Sequence, residues 1–130
     1  MSAGRHQLQI REIAGPFALC RLSPDAAIPA WADGSEFASI TRTRDELSIV
    51  CDEHRVPVGT KCERGYTALR VEGTLPPDMV GVLVSIARPL AEAGIPIVGI
   101  GTYDTDYVLV RAEHISRAKQ ALQAVGHVVG

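Results

Sequence analysis

The chain has no apolar run long enough to cross a membrane. Its longest, around Met79 to Ala87, is interrupted by Ser85 and ends at Arg88, well short of the roughly 18 residues a span requires. The opening Met-Ser-Ala-Gly-Arg-His-Gln has no apolar segment of the kind an export signal carries, so no membrane association is expected. Positive charge is not in excess either. Thirteen Lys and Arg face 15 Asp and Glu, a formal charge of −2, so the summed field that draws proteins to phosphate backbones is missing and nucleic acid is not an expected partner. The three cysteines, Cys20, Cys51 and Cys62, are an odd count without C-x-x-C spacing. That excludes a disulfide framework and a cysteine-based zinc site, and makes the reducing cytoplasm the expected location. Charge blocks and biased tracts are also missing. With 46% apolar and 22% charged residues in 130 positions, the composition is that of one ordinary folded domain or two very small ones.

Catalytic signatures are missing too. There is no G-x-S-x-G elbow, no H-E-x-x-H and no phosphate-cradling loop, since Gly59-Thr60-Lys61 lacks the earlier glycine. Gly99-x-Gly101 has no third glycine at 104 and lies in a strand pattern, which excludes a dinucleotide fingerprint. His6, His54, His114 and His127 show no ligand spacing and read as surface or helix-end residues. No cofactor and no metal are expected. Asp104-x-Asp106 lacks the further carboxylates that would complete an oxygen-ligated cation site.

What is present is periodic. Residues 66–73 read as a strand ending at Gly73. Pro76-Pro77-Asp78 then gives a helix start with Asp78 as cap, followed by apolar residues at 79, 80, 82, 83, 86, 87, 90 and 91. Pro89 is expected to kink or break that helix, and Gly94 closes it before Ile95-Pro96. Residues 97–103 and 107–111 are β-rich runs joined at hairpin distance by Asp104-Thr105-Asp106. Ile115, Ala118, Leu122 and Val125 mark the inner face of a second helix stopped by Gly126, and residues 127–129 a last short strand. The carboxy-terminal half thus has the order βαββαβ, the ferredoxin-like pattern.

The first half reads as a degraded copy. A shift of 60 aligns Ile40 with Ile100, Ile49 with Leu109, Val50 with Val110, Glu53 with Glu113 and His54 with His114; a shift of 50 aligns Ala18-Leu19 with Ala68-Leu69. The missing residues fall at the first helix, which Ser23 to Trp31 reduces to a stub before Gly34. An extra strand at residues 8–13 precedes this unit. The expected architecture is α+β: two tandem ferredoxin-like units, residues 1–62 and 63–130, the first with a shortened first helix.

Two places could carry a ligand. In Gly99 to Tyr107, period two puts Gly99 and Gly101 on one strand face, and the hairpin tip gathers hydroxyls, carboxylates and aromatic rings. That suits a small polar ligand with an amine; equally, Asp and Thr are ordinary turn residues and the glycines could admit a neighbouring helix. The second place is the helix start at 77–81, where free amides suit a carboxylate, unless Asp78 already fills that field.

At these residues the chain resembles the ACT-domain proteins, most closely the small bacterial tandem-ACT proteins related to aspartate-kinase regulatory regions and to CASTOR-type arginine sensors. The resemblance rests on Leu69 to Gly73, on Leu90 to Pro96 and on Thr102 to Val110, within the stretch from Tyr66 to Gly130. It implies a small-molecule-binding regulatory protein without catalytic activity, its ligand an amino acid or a similar molecule bound between domains or subunits. By that analogy the ligand meets Asp78, Val80 and Gly81 before the first helix, Gly94 and Ile95 after it, and Thr102, Tyr103 and Asp106 of the hairpin. The amino-terminal hairpin, Arg42 to Glu46, has no counterpart of Tyr103. A homodimer is expected, because open ferredoxin-like sheets leave edges that pairing can cover. The alternatives are an adaptor that docks a protein partner, and an enzyme using Asp104 or Asp106 as a base.

Overall fold

The computed structural model describes residues 6–76 and 78–130. Pro77, in the expected helix start, and the first residues of the opening segment lie outside the described residues. Two compact units are formed, Gly15–Tyr66 and a second that joins the segment ending at Ala14 to Thr67–Gly130. The first is therefore inserted, in sequence, within the second. The division expected from sequence had residues 1–14 on the amino-terminal side. Strand β1 (Gln9–Leu22) begins in one unit and ends in the other, as does β4 (Cys62–Val71).

In the unit Gly15–Tyr66, β2 (Ser39–Arg42) and β3 (Leu47–Asp52) form a hairpin, and the strand order is β2-β3-β1-β4. β1 pairs antiparallel with β3, placing Ala18 opposite Cys51 and Cys20 opposite Ile49. That is the ferredoxin-like order with both helices reduced to single 3₁₀ turns, Ala30–Ala32 and Glu53–Arg55. The short first helix was legible in the sequence. The second stops because Pro57 lacks an N–H and forces Val56 into extended backbone, φ −78° and ψ 123°. Ala18, Cys20, Ala32, Leu47, Ile49, Cys51 and Val56 are its core.

The larger unit holds α1 (Val82–Glu92), β5 (Val98–Gly101), β6 (Asp106–Arg111), α2 (Ile115–Ala124) and β7 (Val128–Val129). β7 pairs in parallel with the start of β1, Gln9 facing Val128, and the order runs β7-β1-β4-β6-β5. The strand expected at residues 8–13 thus becomes part of β1 and completes this unit. Ile10, Leu69, Val71, Val108 and Val110 on the strands pack against Val82, Ile86 and Leu90 of α1 and Ala118 and Leu122 of α2. Val125, expected on the inner face of α2, is 54% exposed because the helix ends one residue earlier.

Element bounds in the two units differ by a constant 59 residues: β2 against β5, β3 against β6, and Glu53–Arg55 against Ala112–His114. The 60-residue alignment is one position out. Since strand side chains alternate, one residue exchanges the two faces. At 59, the core residues Ile49 and Cys51 match the core residues Val108 and Val110.

Helix α1 departs from expectation at both its start and its proline. It begins at Val82 rather than near Asp78, with Gly81 as N-cap at φ +85° and no side-chain cap. Only glycine enters that left-handed region without strain. Asp78 is exposed, in a turn where the Met79 N–H donates to the Pro76 carbonyl at 3.0 Å. Pro89 stays within the helix and is buried. It cannot donate to the Ser85 carbonyl four residues earlier, but that carbonyl accepts instead from His127 Nε2 at 2.8 Å. The other ring nitrogen, Nδ1, accepts from the Leu8 N–H at 3.0 Å. His127 is therefore no surface residue; it is 4% exposed and fixed as the Nε2–H tautomer by two opposed backbone partners.

His127→Leu should lower unfolding free energy by about 2–4 kcal/mol, since two buried backbone groups lose their partner. Adding Pro89→Ala restores an N–H for the Ser85 carbonyl, so urea denaturation of the double variant should show a smaller loss than the single changes summed. Additive losses would contradict this account. Gly15→Ala should also destabilise, by about 1–3 kcal/mol, because a Cβ there would lie 2.7 Å from the Phe17 nitrogen and 2.8 Å from the Tyr66 carbonyl oxygen.

Candidate functional site

The β5–β6 hairpin carries the polar residues singled out in the sequence, and its loop is Thr102 to Thr105 rather than residues 104–106. Two threonines close it. The Thr102 N–H donates to the Thr105 carbonyl at 2.8 Å, its hydroxyl donates to the same oxygen at 3.0 Å, and the Thr105 N–H donates back to Thr102 Oγ1 at 3.3 Å. Thr105 is 4% exposed and points inward, its hydroxyl donating to the Val71 carbonyl at 2.7 Å. The Leu75 N–H donates to the Asp104 carbonyl at 2.7 Å. The tip is thereby tied at two points, to the last residue of β4 and to the chain that leads on to α1.

These ties shape an open recess of about 100 Å³. Leu75, Pro76, Met79 and Val82 form one side and Thr102, Tyr103, Asp104, Thr105 and Asp106 the other. Tyr103 stands at the tip, 87% exposed. Asp106 is the first residue of β6 and faces Gly101, where an added Cβ would sit 3.4 Å from the carboxylate oxygen Oδ1. Among the described residues the lining carries two carboxylates and no basic side chain. Beside it, the first turn of α1 has neither a side-chain cap nor an acidic residue. The sequence left open whether Asp78 occupies that field; it makes no cap.

Of the expected ligand residues, Thr102, Tyr103 and Asp106 line the recess, and Asp78, Val80 and Gly81 alternate with its lining residues Met79 and Val82. Gly94 and Ile95 are not brought there. They close the far end of α1, about 16 Å along an 11-residue helix, where the Gly94 N–H donates to Ala91 and the Ile95 N–H to Leu90. Ile95 is a core residue, 3% exposed. Sequence reasoning missed Leu75, Pro76 and Val82 as lining, and did not single out Met79, Asp104 and Thr105 as ligand contacts within the two stretches it marked. Thr105 carried no signal beyond its turn propensity, and the apolar residues read as core. Of the two glycines on β5, Gly99 serves packing, since Leu83 of α1 lies 3.6 Å from where its Cβ would be.

Comparison with known proteins adds to this geometry. A family model for the ACT domain matches residues 61–124, and a model described as an N-terminal domain matches residues 15–59. A crystal structure of a protein from Agobacterium tumefaciens is 37% identical, with a TM-score of 0.91 over 96% of this chain and 93% of that one. The chain belongs to the ACT-domain family. A protein of unknown function from Vibrio cholerae is 21% identical, with a TM-score of 0.76 over 95% of this chain and 93% of that one. The regulatory subunit of aspartate kinase from Thermus flavus shares this ACT fold at 10% identity, with a TM-score of 0.65 over 92% and 99% of the two chains. No curated protein sequence matches. Among the described residues no cluster of His, Cys, Asp and Glu is placed to hold a metal ion, and no helix is long and apolar enough to cross a membrane.

If Thr105 fixes the ACT-domain hairpin, Thr105→Val should cost about 1–3 kcal/mol by leaving the Val71 carbonyl without its donor. Amide exchange at Leu75 should accelerate in the same variant, whereas unchanged exchange there would separate the hairpin from the recess wall.

Proposed function

We propose that this ACT-domain protein is a regulatory sensor, without catalytic activity of its own, whose ligand is a free amino acid held in the recess at the β5–β6 tip. The observation that carries this reading is the pairing of opposite chemistries across one small space. Asp104 and Asp106 offer negative charge on the hairpin side, and the start of α1 offers main-chain amides with no side-chain cap or acidic residue in the first turn. An α-ammonium group suits the former and an α-carboxylate the latter, since a helix amino terminus favours negative charge. The Thermus flavus neighbour is a regulatory subunit, and that role fits a site whose described lining residues include no serine, cysteine, lysine or histidine.

We extend the reading to a cytoplasmic homodimer. β2 and β5 end the strand order of their respective units and so present edges to a second copy. A protein-docking role is the second reading, favoured by exposed apolar side chains near the recess: Met79 at 41%, Val80 at 72%, Leu83 at 42% and Val84 at 39%. Light scattering distinguishes a dimer from a 13.9 kDa monomer.

The test is thermal unfolding against each of the twenty amino acids at about 10 mM, where a dissociation constant of 10–100 μM adds roughly 2.7–4.1 kcal/mol. One amino acid, or a chemically related few, should raise the midpoint by several degrees. Asp106→Asn should remove most of that rise while leaving the unliganded unfolding free energy within about 0.5 kcal/mol of the parent. No rise with any amino acid would overturn the sensor reading and advance the docking one.

A further inference from the structure

All three cysteines of the chain lie in the unit Gly15–Tyr66, and none lines the recess or is used by the reading above. Two of them face each other across neighbouring strands. The Arg21 N–H donates to the Lys61 carbonyl at 2.9 Å, which sets Cys20 on β1 opposite Cys62 on β4, one position further along each strand. β1 and β4 run antiparallel, with Glu72 donating to Gln9 at the other end of the pairing. Facing residues adjacent to a hydrogen-bonded pair lie about 4.5 Å apart at Cα, inside the range of about 4.4–6.8 Å that disulfides span. Cys20 and Cys62 line the same surface hollow, with Leu19, Arg21, Lys61 and Glu63 beside them. Cys20 is 2% exposed, whereas Cys62 is only partly buried, at the margin of the same core.

We propose that Cys20 and Cys62 are a redox modification site, closing a reversible disulfide between β1 and β4 when the protein meets a hydroperoxide. Exposure assigns the order of events. Cys62, reachable from solvent, attacks the peroxide as thiolate. The O–O bond breaks, one oxygen stays on Cys62 as sulfenic acid, and the other leaves as water or alcohol. The Cys20 sulfur then attacks the Cys62 sulfur, the S–S bond forms, and the sulfenic oxygen leaves as water with the proton Cys20 gives up. Two thiols lose two hydrogens and one peroxide bond is reduced. Burial, with smaller contributions from Cys51 and Cys62, pushes the Cys20 thiol up to about 12; it is no first nucleophile, since the thiolate is the reactive form. Cys51 is the third thiol, but it sits opposite Ala18 on the other side of β1, with its own thiol donating to the Asp52 carbonyl at 3.6 Å.

The experiment treats the full chain with hydrogen peroxide and reads intact mass and the non-reduced peptide map. The expected product is lighter by about 2 Da, joins the peptides carrying Cys20 and Cys62, and reverts with dithiothreitol. Cys51→Ser should form the same link. Cys20→Ala should stop at a sulfenic acid on Cys62, trapped by dimedone. Sulfinic acid on Cys62 with no link, a link through Cys51, or a link only between two chains would each overturn the proposal.

Discussion

The Thr105 hydroxyl, turned inward to the Val71 carbonyl, is the contact on which the geometry of the recess depends. Without it the β5–β6 tip would be an ordinary exposed four-residue loop, free to splay from the chain that leads into α1. With it, the end of β4 and the start of β6 are held together, the Asp104 carbonyl is presented to the Leu75 N–H, and two carboxylates share the lining of one recess with Leu75, Pro76, Met79 and Val82. The threonine that makes the bond carries no ligand-binding group into the recess; its value is in where it puts its neighbours.

A second constraint sets the opposite wall. Helix α1 carries a proline two thirds of the way along, and a buried carbonyl without a donor would cost about 1–3 kcal/mol. His127 removes that cost by donating to Ser85 while accepting from Leu8. Ser85 in turn donates its hydroxyl to the Gly81 carbonyl at 2.9 Å and accepts from the His6 N–H at 3.2 Å. One buried histidine thus links the first strand, the last strand and the helix whose uncapped start borders the recess. Replacing a missing main-chain bond by a side chain distant in sequence explains why the helix neither kinks out of the core nor stops at Pro89.

Much of this was legible in the residues. Period two and period 3.6 gave the βαββαβ order of the second half, and Thr102, Tyr103 and Asp106 stood out because hydroxyl, ring and acid cluster at a hairpin. What failed were the features decided by distant partners. Asp78 reads as a helix cap from its neighbours, but a left-handed Gly81 moves the start by a turn. His127 reads as a surface residue because nothing nearby announces that Pro89, 38 positions earlier, leaves a carbonyl for it. The repeat was visible yet one residue out of register, because β3 and β6 each bury three consecutive residues and their hydrophobicity does not say which face is which. The strand at residues 8–13 was recognised, but only pairing with β7 shows which unit it completes.

In the proposed function a zwitterionic amino acid is bound by the hairpin acids and the start of α1 together. The most direct test is an amide NMR titration of the labelled protein with pooled and then single amino acids. Shifts should concentrate at Val82, Leu83 and Val84 and at Thr102 to Asp106, saturating together with one dissociation constant. Shifts confined to Gly15–Tyr66, or none with any amino acid, would contradict that mode of binding.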